Sequence, residues 1–294
     1  MLLLAATVFA LSLGLISGLR QAPAVTRAMA SAVARPAAAP YYGGFAPALG
    51  PDLAFSAQAG ILVDLDAKRV LWAKDAGSRR APASLAKMMT AMVAVDLAGL
   101  DRQLIVPQEA TGVVPNLMGL EPGDVVTVRE VLYGLFLDSG NDAAETLGQA
   151  IVPRARFVAE MNSRARAWGL TGTSFSNPSG LDEEGLATTP YDLAVIAGHL
   201  ESRYPALMEI AGTRSQTIPA TSAHHAYAPY NLNKLLWTYP GATGLKTGLT
   251  DDAGGCVVAT ATRGGRHLIA VVMHSDVFFT DAARLLDYGF STPA

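Results

Sequence analysis

The chain has 294 residues, half of them apolar, and a formal net charge of −3. This length can bury one large core or two small ones. Phosphate binding needs a concentrated basic face, and the chain has no lysine or arginine run, so we expect no nucleic-acid partner. Its single cysteine, Cys256, excludes an internal disulfide and is expected to be a small core side chain.

The N-terminal part of the chain resembles an export signal. Residues 2–19 are uncharged and almost all apolar, and small-residue sites of the A-x-A type follow within residues 28–34. We expect residues 1–34 to be a signal peptide or N-terminal membrane anchor, and residues 35–54, rich in Ala, Pro and Gly, to be a flexible linker. Arginines follow the apolar segment and would keep its C-terminal side in the cytoplasm, which favours a cleaved signal over an anchor. Either interpretation places the remainder in the periplasm or another extracytoplasmic cell-wall space, with membrane contact only through this segment.

The predicted domain covers residues 55–292 and begins with a hairpin. Residues 60–66 and 69–74 are strand-like and flank a tight turn. After Pro82 the apolar spacing becomes helical, and Gly99 is expected to end the helix. Because this helix is apolar almost all round, we expect it to be buried; its apolar residues include Leu85, Met88, Met89, Met92, Val93 and Val95.

The middle of the domain is predicted to be helical. Thr127 and Glu130 have the spacing of a capping box and should open a helix that runs to about Leu137. Asp142 is expected to cap a second helix, which places the intervening Ser-Gly-Asn sequence on a tight loop. Two further helices are predicted over residues 154–168 and 190–200.

From residue 244 onward the pattern becomes extended again. Residues 244–249, 255–261 and 267–273 are predicted strands, and residues 280–288 a closing helix. Strands at both ends of the domain, with helices between them, predict an α+β fold in which one sheet is assembled from distant parts of the chain.

Three short sequences stand in a fixed order: Ser84-Leu-Ala-Lys87, Ser139-Gly-Asn141 and Lys246-Thr-Gly248. Each alone is a weak signal, and the ordinary interpretation of each, a solvated lysine or an interhelix turn, would be preferred. Each of the three patterns occurs once, however, and together they form the signature of penicillin-recognising serine enzymes. Because all three sequences occur together and in this order, we set the ordinary interpretations aside and predict an enzyme that carries out serine acyl transfer.

The first sequence can supply an activated nucleophile. A serine hydroxyl reacts poorly until a neighbouring base takes its proton, and residues three apart on a helix share a face. Lys87 can be the base for Ser84 only when it is neutral, so its pKa must lie well below about 10.4. Burial and a nearby cation, for which Lys246 is the candidate, both lower a lysine pKa.

The other two sequences can bind a peptide. Ser139 and Asn141 can present a proton relay and a donor to a peptide carbonyl. Lys246 and Thr247 can hold the carboxylate of an extended peptide, and Gly248 lets another backbone approach closely.

Other catalytic motifs are missing from the sequence. There is no Gly-Lys dipeptide of a Walker loop, no G-x-S-x-G elbow and no H-E-x-x-H. His224 and His225 are adjacent in a polar segment and are expected to be exposed rather than metal-binding. We therefore expect neither a metal nor a cofactor.

With these motifs the chain resembles the low-molecular-mass penicillin-binding proteins, the serine D-alanyl-D-alanine carboxypeptidases of the β-lactamase/D,D-peptidase superfamily. The likeness runs from about Phe55 to Phe290 and extends beyond the three motifs. The segments that carry it are Pro82–Ala91, Leu120–Asp124, Ser139–Ala144, Phe175–Asp182 and Asn231–Trp237.

The resemblance implies a β-lactamase/transpeptidase-like fold, in which a five-stranded antiparallel sheet flanked by helices adjoins a helical subdomain and the site lies in the cleft between them. It implies oxyanion stabilisation by the backbone N–H groups of Ser84 and Leu249. The implied catalytic residues are Ser84, Lys87 and Ser139, and the implied substrate-binding residues are Asn141, Lys246, Thr247, Gly248 and Leu249.

Some positions depart from the pattern of the family. Leu232 stands where some relatives carry an arginine that grips the substrate carboxylate, and Thr243 stands where an aspartate is common. Ser179 replaces a frequent histidine, and Leu249 replaces a frequent histidine or tyrosine. These departures bear on substrate preference more than on catalysis.

The function implied is removal of the terminal D-alanine from peptidoglycan stem peptides through a Ser84 acyl-enzyme, with inhibition by β-lactams. Three alternatives stay open: a D,D-endopeptidase acting on cross-links, a serine β-lactamase and a non-catalytic wall-binding protein. The β-lactamase is disfavoured because residues 172–182 contain no E-x-x-L-N segment, and the non-catalytic protein because no motif residue is lost.

Overall fold

A five-stranded antiparallel sheet organises the part of the chain described by the computed structural model, which comprises Pro51 and residues 53–293. The predicted leader, residues 1–34, lies outside these residues, as does nearly all of the predicted linker. The strand order is β2-β1-β7-β6-β5. The strands are β1 (Ala59–Asp64), β2 (Arg69–Lys74), β5 (Ala242–Thr250), β6 (Gly254–Arg263) and β7 (Arg266–Met273), and a separate small sheet pairs β3 (Gln103–Ile105) with β4 (Val125–Thr127).

The sheet joins the two ends of the domain, as predicted. Strand β1 pairs with β7 along its whole length, from Ala59 opposite Met273 onward. Successive side chains of a strand point to opposite faces, so Ile61 and Val63 enter one hydrophobic core and Leu62 enters the other. The α+β fold is therefore confirmed.

Helices cover both faces of this sheet. The core that contains Leu62 also contains Leu285 and Leu286 of the C-terminal helix, whereas the other core is built largely from helices of the middle of the chain. The helices are α1 (Lys87–Ala98), α2 (Gln108–Thr111), α3 (Val128–Tyr133), α4 (Asn141–Ala150), α5 (Arg154–Ala167), α6 (Pro190–Arg203), α7 (Pro205–Gly212), α8 (Leu235–Thr238) and α9 (Phe278–Ser291). Among the described residues, none of these helices is both long and apolar enough to cross a membrane.

The local signals of α1 and α3 predicted their boundaries well. A 3-10 turn over Ala83–Ala86 leads directly into α1, and Gly99 follows its last turn with a φ of 72°. At α3 the capping box is present, because the Thr127 side chain accepts a bond from the Glu130 amide and the Glu130 carboxylate accepts one from the Thr127 amide. A π-helical turn, Gly134–Asp138, continues α3 to the second motif.

The predicted capping role of Asp142 is wrong. Helix α4 begins one residue earlier, at Asn141, and Gly140 occupies the cap position. The buried Asp142 carboxylate instead accepts bonds from the backbone N–H groups of Met118 (2.8 Å), Gly119 (2.8 Å) and Leu120 (3.0 Å). A buried carboxylate needs several donors, and here a loop distant in sequence supplies them, which a local pattern cannot indicate.

Candidate active site

The predicted nucleophile and base are in direct contact. Ser84 lies in the 3-10 turn and Lys87 is the first residue of α1, so the two side chains are about one turn apart. The Lys87 Nζ lies 2.7 Å from the Ser84 Oγ. It also lies 2.8 Å from the Asn141 Oδ1 and 2.7 Å from the Ser179 backbone oxygen.

These three neighbours fix the orientation of the amine. The Asn141 Oδ1 and the Ser179 carbonyl can only accept, so each takes one N–H of Lys87. A neutral amine has two N–H bonds and one lone pair, and the lone pair then faces the Ser84 Oγ. In this orientation Lys87 can take the hydroxyl proton as Ser84 attacks a carbonyl.

The surroundings of Lys87 favour its neutral form. The side chain is fully buried, and burial lowers its pKa well below 10.5; the positive charge of Lys246 lowers it further. The carboxylates of Asp142 and Glu145 act in the opposite direction with a smaller effect. Both influences that the sequence suggested, burial and the charge of Lys246, therefore act on Lys87.

Asn141 is held at both ends of its amide. Its Oδ1 accepts from Lys87, and its Nδ2 donates to the backbone oxygen of Val114 at 2.8 Å. The side chain thus contacts the predicted base as well as lining the cleft. From the sequence, Asn141 was expected only to bind the substrate.

The backbone oxygen of Ser179 also contacts Lys87, and the sequence did not predict this contact. The neighbouring Asn177 Oδ1 accepts from the backbone N–H groups of Ser179 (3.2 Å) and Gly180 (2.7 Å), which turns the Ser179 carbonyl toward Lys87. Gly180 has a φ of 84°, and a Cβ there would lie 1.9 Å from the Ala83 backbone oxygen, so only glycine fits. The family-like segment Phe175–Asp182 was a signal for this loop, but a backbone carbonyl has no side-chain signature.

The third motif lies on β5, next to the Ser84 turn. A Cβ added to Gly248 would lie 2.8 Å from the Ala83 Cβ and 3.0 Å from the Ser84 backbone nitrogen, so the strand passes very close to the nucleophile. This brings the backbone of Leu249 beside Ser84, although the Leu249 side chain is 71% exposed. An oxyanion hole formed by the Ser84 and Leu249 amides, which the family resemblance implies, would need this close approach.

Lys246 is buried behind the cleft. Its Nζ donates to the Thr247 backbone oxygen at 3.0 Å, and burial lowers its pKa to about 7, while Asp138 acts in the opposite direction. Burial of the Asp138 carboxyl likewise raises its pKa, to about 6. Both groups therefore titrate near neutral pH.

A cleft of about 320 Å³ brings most of the predicted residues together. Ser139, in the left-handed region with a φ of 59°, lines it together with residues of β5. The two predicted lysines stand behind its wall. The predicted residues that line it are Ser84, Ser139, Asn141, Thr247, Gly248 and Leu249.

The histidine pair differs from its prediction. His225 is exposed as expected, but His224 is only 7% exposed and stacks on Tyr227 with a ring-centroid distance of 5.4 Å. Glu121, Asp124 and His225 bring one potential ligand atom each within 4.8 Å of one another. The Asp124 Oδ2 already accepts from the Glu121 amide and the Tyr227 hydroxyl, so this group has a structural role.

Comparison with known proteins identifies the family of this chain. The family model for D-alanyl-D-alanine carboxypeptidase matches residues 47–277. The chain is 34% identical over 251 residues to the D-alanyl-D-alanine carboxypeptidase DacF of Bacillus subtilis, covering 82% of this chain but 64% of the relative. It is 37% identical over 243 residues to DacB2 of Mycobacterium tuberculosis, covering 80% and 82% of the two chains.

Solved structures show the same fold. A D-alanyl-D-alanine carboxypeptidase from Mycobacterium tuberculosis superposes with a TM-score of 0.77 at 36% identity, covering 85% of this chain and 96% of that one. A Streptomyces DD-transpeptidase variant superposes with a TM-score of 0.76 at 31% identity, covering 83% of this chain and 100% of that one. The chain therefore belongs to the D-alanyl-D-alanine carboxypeptidase family of serine peptidases.

Proposed function

We propose that this chain is a serine D,D-carboxypeptidase that removes the terminal D-alanine from peptidoglycan stem peptides. The observation that carries the proposal is the position of the buried Lys87 Nζ, 2.7 Å from the Ser84 Oγ and oriented by two fixed acceptors. The names of its relatives supply the substrate class.

In the first half of the reaction, the Ser84 Oγ attacks the carbonyl carbon of the penultimate D-alanine and its proton passes to Lys87. The backbone N–H groups of Ser84 and Leu249 stabilise the oxyanion, and one such donor contributes about 3 kcal/mol in the transition state. The C–N bond breaks, a proton returns to the leaving amine through Lys87 and Ser139, and free D-alanine departs. Water then attacks the ester and releases the shortened peptide.

Lys246 and Thr247 would bind the carboxylate of the terminal D-alanine. Thr247 lines the cleft, and the buried Lys246 stands behind it. Because burial lowers the pKa of Lys246 to about 7, a bound carboxylate would restore its charge.

The alternative of a β-lactamase is less well supported. Such an enzyme needs a group that activates the deacylating water, and the loop that contacts Lys87 presents a backbone carbonyl there, that of Ser179. Two acidic side chains at the end of this loop are engaged elsewhere, Asp182 with the Thr250 hydroxyl and Glu183 with the Asn177 side-chain amide. We therefore propose that the enzyme binds β-lactams as slowly hydrolysed inhibitors. We also propose that it acts outside the cytoplasm and that residues 55–292 form its catalytic domain.

Intact mass after brief exposure to benzylpenicillin, with peptide mapping, tests this proposal. A persistent one-to-one adduct on Ser84, lost in Ser84→Ala, is expected, together with release of D-alanine from a pentapeptide. Rapid consumption of penicillin without an adduct would favour the β-lactamase. If no adduct formed and neither substrate was turned over, the three motifs would not be catalytic.

A further inference from the structure

Helix α1 carries two polar side chains within a surface that is otherwise apolar and buried. Residues 87–94 of this helix are all buried, and Lys87 and Thr90 are the polar ones among them. Residues three apart on a helix lie on one face, so the Thr90 hydroxyl projects from the same side of α1 as the Lys87 amine. The reaction described above uses Lys87 and leaves Thr90 without a role.

The Thr90 hydroxyl bonds to the same loop that contacts Lys87. Its Oγ1 donates to the Pro178 backbone oxygen at 2.6 Å, and both residues are buried. A threonine inside a helix commonly returns its hydroxyl to a carbonyl one turn earlier in the same helix, whereas this one bonds across to another segment. The hydroxyl has one proton, and the Met161 Sδ, at 3.9 Å, is a weak acceptor, so Pro178 receives it.

Two consecutive peptide groups of this loop are bonded at both their oxygen and their N–H. In the first, the Pro178 oxygen accepts from Thr90 and the N–H donates to the Asn177 Oδ1 at 3.2 Å. In the second, the Ser179 oxygen accepts from Lys87 at 2.7 Å and the N–H donates to the same Asn177 oxygen at 2.7 Å. The two groups share one Cα, so a rotation of the first changes the direction of the second carbonyl.

Further bonds hold this loop at its two ends. Asn162 of α5 binds the backbone of Phe175 twice, because its amide donates to the Phe175 oxygen at 2.7 Å and accepts from the Phe175 N–H at 2.9 Å. At the other end, the Thr250 hydroxyl donates to the Asp182 carboxylate at 2.7 Å. The base gains and loses a proton in each reaction cycle, whereas the Thr90 hydroxyl keeps its proton. The Thr90 bond therefore holds the middle of the loop throughout the cycle.

We propose that Thr90 is a positioning residue for the acyl transfer that begins at Ser84. Its hydroxyl fixes the Pro178 carbonyl, and the shared backbone then holds the next carbonyl, that of Ser179, against the amine of the base. If that carbonyl turned away, one N–H of Lys87 would lose its acceptor and the lone pair would no longer be directed at the Ser84 Oγ. This inference rests on the proposed function, since it uses the same Ser84 acyl-enzyme.

The test removes the hydroxyl and keeps the shape of the side chain. Thr90→Val puts a methyl group in place of the hydroxyl and leaves the buried Pro178 oxygen without its donor, whereas Thr90→Ser keeps the hydroxyl. Thr260→Val is the matched control. Thr260 lies on β6, is also fully buried, and its hydroxyl bonds to the Thr243 hydroxyl at 2.8 Å.

The assay measures the limiting rate constant of acylation by a fluorescent penicillin, the penicillin concentration that gives half of this rate, and Tm. We expect Thr90→Val to lower the limiting rate about fivefold to twentyfold, since misplacement of a reacting group by about 1 Å can cost up to ~10²-fold. The half-saturating concentration should stay within about twofold, because Thr90 acts on proton transfer and does not touch the ligand. Thr90→Ser and Thr260→Val should acylate at the wild-type rate, even if Tm falls. If Thr90→Val does not fold, Thr90→Cys, whose thiol is a weak donor, should give an intermediate loss of rate.

The outcomes separate this inference from the proposed function. A limiting rate of the valine or cysteine variant within twofold of wild type would refute the positioning role of Thr90 and leave the carboxypeptidase proposal standing. An equal loss of rate in Thr260→Val, or a loss that lies in the half-saturating concentration alone, would show a general effect on the fold and would overturn the inference. Acylation of wild type without release of D-alanine from a pentapeptide would refute the carboxypeptidase alone, and no acylation of wild type would refute both.

Discussion

The substitution Gly248→Ala tests whether the close approach of β5 to the nucleophile is required. The added Cβ would lie 2.8 Å from the Ala83 Cβ, 3.0 Å from the Ser84 nitrogen and 3.4 Å from the Leu85 nitrogen. Carbon atoms in contact prefer about 3.5–4.0 Å, so the strand and the turn must separate by about 0.8 Å. Two of the three close atoms are backbone, which cannot move aside as a flexible side chain can.

This displacement should affect catalysis more than stability. Overpacking of this kind costs about 1–3 kcal/mol, which lowers Tm by roughly 3–9 °C in a domain of this size. Misplacement of reacting groups by about 1 Å can cost up to ~10²-fold in rate. Because the shift opens the gap between the Ser84 and Leu249 amides, we expect acylation to fall by one to two orders of magnitude.

The assay is the second-order rate constant for acylation by a fluorescent penicillin, measured with Tm on the same samples. Gly112→Ala is the matched control, because its Cβ would meet nothing within 4 Å and its φ is −82°. We expect this control to acylate at the wild-type rate. An acylation rate of Gly248→Ala within threefold of wild type would refute the argument that the β5 backbone sets the oxyanion geometry.

Three further predictions follow from the site. Asn141→Ala removes one of the two acceptors that orient Lys87 and should slow penicillin acylation by about tenfold to hundredfold, which corresponds to roughly 1–3 kcal/mol. An unchanged acylation rate would show that Asn141 does not orient Lys87. Lys246 is protonated below its pKa of about 7, so KM for carboxylate-terminated peptides should rise as pH increases above 7, by up to about tenfold per pH unit. KM for C-terminally amidated peptides should not rise. Parallel KM profiles for the two peptides would contradict the proposed role of Lys246 in binding the carboxylate. Asp142→Ala leaves three loop amides without their acceptor and should lower the free energy of unfolding, measured with urea, by about 3 kcal/mol. The control Asp101→Ala, at a side chain that is 90% exposed, should lower it by almost nothing. Similar losses in both variants would contradict the structural role of Asp142.

The local signals in the sequence were reliable where one short segment carries the whole interaction. The capping box of Thr127 and Glu130 and the end of α1 at Gly99 depend on neighbours within a few residues, and both were predicted. Asp142 failed for the opposite reason. Its carboxylate binds the amides of residues 118–120, so its partners are more than twenty residues away and a cap could not be distinguished from a long-range acceptor.

The sequence by itself determined the family and the chemistry proposed for this protein, because the predicted nucleophile, its predicted base and the three motifs are residue types at fixed spacings that can be read directly. The tertiary structure alone decided how that chemistry is tuned. The Ser179 carbonyl contacts Lys87 through the backbone, and the low pKa of Lys87 comes from burial, with Lys246 contributing. The contacts of backbone groups and the burial of a side chain depend on how distant segments pack, so they cannot be predicted from the residue type at a single position.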